Sequence, residues 1–89
     1  MDYQVVHEQT YDYAISSLPT VTLQQAEEAV GAISYALSRN PKGFRKVRDP
    51  DVYLAKIAPR PRDHLPGFRV WFRVSSDDKH VYLLYINEY

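Results

Sequence analysis

The chain has 89 residues, of which 45% are hydrophobic and 25% are charged, and it contains no cysteine. This length fits one small domain, which we place at residues 1–89, and the composition is ordinary for a globular protein. The sequence has no apolar run near the ~18 residues that a membrane span needs. It also has no start typical of a signal peptide and no thiols for disulfides or a thiolate metal site. We therefore expect a cytoplasmic protein without membrane contact, metal or cofactor.

Charge is distributed unevenly along the chain, although the formal net charge is zero. Residues 1–38 contain five acidic residues and no Lys or Arg, whereas residues 39–73 contain ten basic residues and three acidic ones. Concentration of positive charge in one part of a domain indicates a binding surface for an anionic partner. The alternative is a solvated surface on which basic residues happen to cluster.

The first half of the chain predicts a strand, a short helix and a long helix. Residues 3–7 are β-branched and aromatic, as in a strand, and residues 9–18 have helical spacing that ends at Pro19. Thr22 and Gln25 resemble a capping box for the long helix, which Asn40-Pro41 ends. Its apolar residues recur every three or four positions: Leu23, Ala26, Val30, Ile33 and Leu37.

The second half predicts three strands joined as an antiparallel meander, preceded by a basic connector at residues 44–50. A basic loop between the first two of these strands contains three prolines, which cannot donate to a sheet. The three strands are expected at residues 52–58, 68–75 and 80–87. Together these elements predict an α+β fold of order β-α-α-β-β-β, in which a helical hairpin packs on one face of an antiparallel four-stranded sheet.

The strand at residues 68–75 alternates between apolar and basic or aromatic residues. One face would carry Phe68, Val70, Phe72 and Val74, and the other would carry Arg69, Trp71 and Arg73. Two guanidinium groups around an indole suit nucleic acid, because arginine pairs with phosphate and tryptophan stacks on bases. The alternative is that these residues only cover the outer sheet face through cation–π packing.

Other constellations point to no further chemistry. His7, His64 and His80 lack the spacing of metal ligands, so no metal site is predicted. Ser75, Asp77 and His80 fit a turn better than a catalytic triad.

The order of elements and several local motifs resemble the RelE/ParE superfamily of type II toxins, particularly the RelE and YoeB types. The segment Gly67-Phe68-Arg69-Val70-Trp71-Phe72 is similar to the family's Gly-Tyr-Arg-Val-x-Tyr strand, and Asn87-Glu88-Tyr89 is similar to the YoeB-type close, which finishes on a functional tyrosine. Arg39-Asn40-Pro41 and Val47-Arg48-Asp49 lie in the matching order between these elements.

The resemblance implies a ribosome-dependent, metal-free mRNA endoribonuclease that inhibits translation and is held by a cognate antitoxin. On this basis the expected catalytic residues are Arg69, Lys56 and Arg48 for charge, Glu88 as a base, and Tyr89 to orient the substrate. Residues expected to bind RNA are Trp71, Arg73, Arg60, Arg62, Arg45 and Lys46. The expected partners are mRNA on the ribosome and the antitoxin, in a homodimer or a toxin–antitoxin hetero-oligomer.

Two other functions stay open at the level of sequence. Glu88 occupies the position of a histidine in the YoeB-type close, so the chain is alternatively a toxin of the same fold that acts on a protein such as gyrase, or a catalytically degenerate binding module. A second alternative is an unrelated α+β protein that binds nucleic acid.

Overall fold

A computed structural model describes residues 2–89; Met1, where the predicted domain begins, lies outside the described residues. The described residues form two α-helices, two short 3-10 helices and five strands. The α-helices are α1 (Gln9–Ser16) and α2 (Leu23–Arg39). The strands are β1 (Gln4–His7), β2 (Arg45–Arg48), β3 (Val52–Ile57), β4 (Phe68–Val74) and β5 (His80–Glu88). Within the described residues, no helix is long and apolar enough to cross a membrane.

The five strands form one sheet in the order β1-β5-β4-β3-β2. The three-strand meander is antiparallel as predicted, and β2 continues it, but β1 pairs with β5 in parallel. A parallel pair needs a long connection, and two helices and three strands separate β1 from β5. The predicted α+β class is confirmed, with two corrections: the sheet has five strands rather than four, and it is mixed rather than antiparallel.

The additional strand is β2, which occupies the segment that the sequence predicted as a basic connector. Its residues Arg45–Arg48 are all exposed, so they show no alternation of buried and exposed positions. Strand β2 lies at the edge of the sheet and pairs only with β3. Charged side chains are common on edge strands because they discourage pairing with other chains.

Helix α2 begins and ends where the sequence predicted. The Thr22 backbone N–H donates to Gln25 Oε1 at 2.9 Å, and the Gln25 N–H donates to Thr22 Oγ1 at 3.1 Å, which completes the capping box. Ala26, Val30 and Leu37 are buried on one side of the helix. The helix ends at Arg39, directly before Asn40-Pro41.

The core lies between the helices and the inner face of the sheet. Strand β4 contributes its alternate residues, and the Tyr53 ring from β3 stacks on Phe72 at a centroid distance of 5.6 Å. The buried residues of β4 are Phe68, Val70, Phe72 and Val74, as predicted. Each β4 residue between them therefore faces outward, away from the helices.

Candidate nucleic-acid interface

The outer face of the sheet is organised by the cross-strand register into three rows. The first row contains Arg48, Val52, Arg73 and Tyr82. The second contains Arg45, Leu54, Trp71 and Tyr85, and the third contains Lys56, Arg69 and Asn87. Directly paired residues share one side of a sheet, so these side chains form one surface. We call the eleven residues of these rows the cationic face.

The cationic face holds five basic side chains and no acidic one: Arg45, Arg48, Lys56, Arg69 and Arg73. Within residues 2–89, none of the five forms an ion pair with a carboxylate. Four basic residues elsewhere do form such pairs: Arg39, Lys42, Lys46 and Arg60. The positive charge of this face is therefore available to an external anion.

Tyr89 lies over the third row, next to two of the basic residues. The Arg69 Cζ atom is 4.6 Å from the centroid of the Tyr89 ring, and the Lys56 Nζ atom is 5.8 Å from it. Both distances are within the range of cation–π attraction. The structure thus brings together three of the five residues predicted to be catalytic, and we call Lys56, Arg69 and Tyr89 the Tyr89 cluster.

Gly67 supports the Tyr89 ring from the backbone. The Gly67 N–H donates to the Tyr89 carbonyl at 3.1 Å, and the Tyr89 N–H donates to the Gly67 carbonyl at 2.9 Å. A β-carbon at position 67 would lie only 2.5, 2.7 and 2.9 Å from three atoms of the ring. The ring occupies the space that any other side chain at position 67 would need.

The two other predicted residues of β4 are packed against aromatic rings. The Arg73 Cζ atom is 4.6 Å from the centroid of the Tyr82 ring, and the Trp71 and Tyr85 rings are 5.7 Å apart at an angle of 47°. This packing matches the alternative in which cation–π contacts cover the outer face. Neither Arg69 nor Arg73 has a carboxylate partner in the described residues. Packing on tyrosine rings therefore leaves the charges of both arginines unneutralised.

Glu88 lies apart from the Tyr89 cluster. It is paired with Phe68, whose side chain points into the core, so it faces the helix side of the sheet. There its carboxylate accepts from the Thr20 N–H at 3.1 Å and from the Thr20 hydroxyl at 2.5 Å. The arrangement gives Glu88 a structural contact with the connection between α1 and α2, not a position beside Arg69.

The remaining predicted residues are spread over several places. Arg48 and Lys56 belong to different rows, and their β3 positions, Val52 and Lys56, are four residues or ~13 Å apart along the strand. Lys46 is paired with the buried Tyr53, and its amine lies 3.0 Å from Asp49, a hydrogen bond that raises the pKa of Lys46. Two residues lie on the exposed loop before β4: Arg60, whose guanidinium is 2.7 Å from Asp63, and Arg62.

Three residues of the cationic face with polar side chains were not among the predicted site residues: Asn87, Tyr82 and Tyr85. Asn87 Oδ1 is buried without a hydrogen-bond partner, the one such side-chain atom in residues 2–89. A bulge in the pairing of β4 with β5 shifts the alternation, so that both Tyr82 and Tyr85 share a side with β4's outward residues. Without the bulge, simple alternation along β5 would place these two tyrosines on opposite sides, so the sequence pattern alone could not group them.

No protein-family model matches the chain, and its sequence matches no curated protein. Solved structures do match. A chain of the RelBE2 toxin–antitoxin complex from Mycobacterium tuberculosis superposes with a TM-score of 0.73 at 19% identity, covering 100% of both chains. A mutant of the Escherichia coli toxin RelE in the free state gives a TM-score of 0.66 at 14% identity, covering 99% of this chain and 84% of that one.

The chain has a RelE-like toxin fold. A third match, the intact E. coli RelBE toxin–antitoxin complex, agrees with a TM-score of 0.60 at 15% identity over 98% of this chain and 96% of that one. The resemblance that was drawn from the β4 motif and the order of elements is therefore confirmed at the level of the fold. At these identities the RelE-like fold does not by itself assign an activity to the Tyr89 cluster.

Proposed function

We propose that this protein is the toxin of a type II toxin–antitoxin system and that it is a ribosome-dependent, metal-free mRNA endoribonuclease. The observation that carries the proposal is the Tyr89 cluster, in which Lys56, Arg69 and an aromatic ring meet on a face without acidic side chains. The RelE-like fold supports it, because two of the matching structures are toxin–antitoxin complexes. In this proposal residues 1–89 act as a single toxin domain.

The cluster suits cleavage of RNA by the substrate's own ribose. The 2′-oxygen forms a bond to phosphorus as its proton leaves, the bond from phosphorus to the 5′-oxygen breaks, and that oxygen gains a proton. The products are a 2′,3′-cyclic phosphate and a 5′-hydroxyl. Arg69 and Lys56 stabilise the negative charge that develops on the phosphorane oxygens. Lys56 and Tyr89 are the acid–base candidates of the cluster, since a guanidinium keeps its protons.

The Tyr89 ring is available to contact a base as well as the reacting groups. Tyr89 is 42% exposed, and its ring already lies beside Arg69, the candidate for binding phosphate. Stacking of a base on this ring, with a phosphate on Arg69, holds the nucleotide at two points. Such fixation of the reacting groups is a major source of enzymatic acceleration.

An antitoxin is the second partner in this proposal. A segment of acidic residues that crosses the cationic face would neutralise five basic side chains for which the described part of the chain provides no carboxylate. The same contacts would exclude mRNA from the Tyr89 cluster. We therefore expect a toxin–antitoxin hetero-oligomer in which RNA and antitoxin compete.

Inducible expression in bacteria tests the proposal, with toe-printing of translating ribosomes as the readout. The wild-type chain is expected to arrest growth and to produce cuts in ribosome-bound mRNA, and Arg69→Ala is expected to do neither. Arg39→Ala is a matched control, because Arg39 also packs on a tyrosine, Tyr35 at 5.4 Å, but lies on α2. Equal behaviour of wild type and Arg69→Ala would refute a role of the cluster.

A second candidate is a toxin of the same fold that acts on a protein such as gyrase, or a degenerate module that binds without cleaving. The observation that favours it is the position of Glu88, which is bound to Thr20 on the other side of the sheet. This candidate predicts growth arrest, or antitoxin binding, without any cut in ribosome-bound mRNA. Toe-printing of the wild type therefore separates the two functions directly.

A further inference from the structure

A cleft of about 530 Å³ lies between α1 and the edge of β5, beside the cationic face. Its lining is formed by Gln9, Thr10 and Tyr13 of α1 and by Tyr85 of β5. Strand β1 pairs only with the first part of β5, residues 80–83, so α1 borders the rest of that edge. The Thr10 hydroxyl donates to the Leu84 carbonyl at 2.6 Å, which ties α1 to β5 beside the cleft.

The two aromatic walls of the cleft are exposed, although aromatic residues usually contribute to a core. Helix α1 buries Tyr11, Ala14 and Ile15, whereas Tyr13 is 76% exposed and Tyr85 is 48% exposed. Most of Tyr13 and about half of Tyr85 are therefore open to solvent. Exposed apolar surface next to a charged one is typical of a binding site.

The cleft is continuous with the cationic face through Trp71. The bulge at Leu84 brings Tyr85 opposite Trp71, and the two rings are 5.7 Å apart. Trp71 lies between Arg69 and Arg73 on β4, two residues or ~7 Å from each. A series of rings, Trp71, Tyr85 and Tyr13, therefore leads from the arginines to the helix.

We propose that the cleft between Tyr13 and Tyr85 is a subsite for one nucleobase of a single-stranded RNA whose phosphates lie on the cationic face. This inference rests on the proposed function and assigns to it a contact that lies outside the Tyr89 cluster. Proteins that bind single strands combine a positive groove for the backbone with aromatic rings for the bases, and the two features adjoin here.

The chemistry of the lining favours a base over a phosphate. All four lining residues are uncharged, so nothing in the cleft would hold an anion by charge. The flat rings of Tyr13 and Tyr85 suit a planar group, and the amide of Gln9 can both donate to and accept from the edge of a base. The subsite would therefore accept a base while leaving the phosphates to the arginines.

Binding of two RNA probes tests the proposal by fluorescence anisotropy. One probe is a labelled single strand of about eight nucleotides, long enough to reach from Arg69 to the cleft, and the other is a dinucleotide. Both carry 2′-O-methyl groups, which prevent cleavage through the 2′-oxygen. Tyr13→Ala is expected to weaken binding of the longer probe about tenfold and to leave the dinucleotide unaffected, because loss of one base–aromatic contact has this order of effect.

Tyr35→Ala is the matched control, since Tyr35 is 71% exposed on α2 and does not line the cleft. The Tyr35→Ala variant is expected to bind both probes like the wild type. Thermal unfolding measures whether both variants fold. If Tyr13→Ala binds the longer probe as tightly as the wild type, the subsite is wrong even where Arg69→Ala weakens both probes. An acidic peptide is measured as a third probe. If Tyr13→Ala weakens binding of this peptide and of neither RNA, the cleft belongs to a protein partner and the subsite is equally wrong. If the wild type binds neither probe, the subsite is wrong, and toe-printing of translating ribosomes tests the proposed function separately.

Discussion

Replacement of Gly67 by alanine is expected to displace Tyr89, to lower stability and to lower the RNA cleavage that we propose. The added β-carbon would lie 2.5 to 2.9 Å from three ring atoms, whereas ordinary contacts of this kind lie at 3.4–4 Å. Backbone hydrogen bonds of 3.1 and 2.9 Å hold residues 67 and 89 together, so we expect the ring rather than the strand to move.

The magnitude follows from the contacts that the ring would lose. Displacement separates Tyr89 from Arg69, at 4.6 Å, and from Lys56, at 5.8 Å. Exposed cation–π contacts contribute ~0.5–1 kcal/mol each, so a loss of about 1 kcal/mol is expected. For a domain of this size it corresponds to a fall in Tm of ~4–8 °C. In the proposed endoribonuclease, cleavage would fall as well, because the displaced ring would no longer position the substrate.

A double-mutant cycle with Tyr89→Ala distinguishes this mechanism from a general effect on the strand. Gly67 has no positive φ, so alanine fits its backbone. Without the ring, Gly67→Ala is expected to stabilise by ~0.4–1 kcal/mol, since alanine reduces the freedom of the unfolded chain. Thermal unfolding of the four proteins measures the change of sign. Equal destabilisation by Gly67→Ala in both backgrounds would refute the reasoning.

Three further predictions concern the core, the buried amide and the Glu88 contact. Burial raises the pKa of Tyr11 from 10.0 to about 12, so the folded state retains a proton that the unfolded state loses. Stability is therefore expected to fall by ~2–3 kcal/mol between pH 10 and pH 12, and unfolding curves of Tyr11→Phe should lack this component. Asn87→Leu removes a buried acceptor without a partner and is expected to raise the free energy of unfolding by ~1 kcal/mol in denaturant titrations; a decrease would show that the amide is satisfied. Thr20→Val removes the hydroxyl donor to Glu88 and should lower stability by ~1 kcal/mol while cleavage stays at the wild-type rate. Loss of cleavage in a folded Thr20→Val variant would instead indicate that Glu88 acts in catalysis.

Much of the fold is predictable because its signals are local. Helix α2 is defined by the Thr22–Gln25 capping box and by apolar spacing, both of which act within a few turns. The alternation of β4 likewise identifies its buried side and its outward arginines. Strand β2 has no such signal, because four exposed residues at a sheet edge carry no alternation. Only the pairing with β3 makes this segment a strand.

The positions of site residues depend on register, which is not local. Lys46 and Arg48 are separated by an irregularity in the pairing of β2 with β3, and a second one lies opposite Trp71. Each bulge changes which side of the sheet the following residues face. For this reason Lys46 and Glu88, which the family resemblance predicted as site residues, lie away from the outer surface, whereas Tyr82 and Tyr85 belong to it.

The basic residues outside the cationic face differ from those on it in the groups that they contact. Arg39, Lys42, Lys46 and Arg60 are paired with carboxylates, which cancel their charge locally. Arg69 and Arg73 pack instead on tyrosine rings at 4.6 Å. A ring attracts a cation through its quadrupole and carries no net charge, so the guanidinium stays oriented while its field remains intact. An arriving phosphate then has no ion pair to break, and a face held in this way is prepared for an anion before the anion binds.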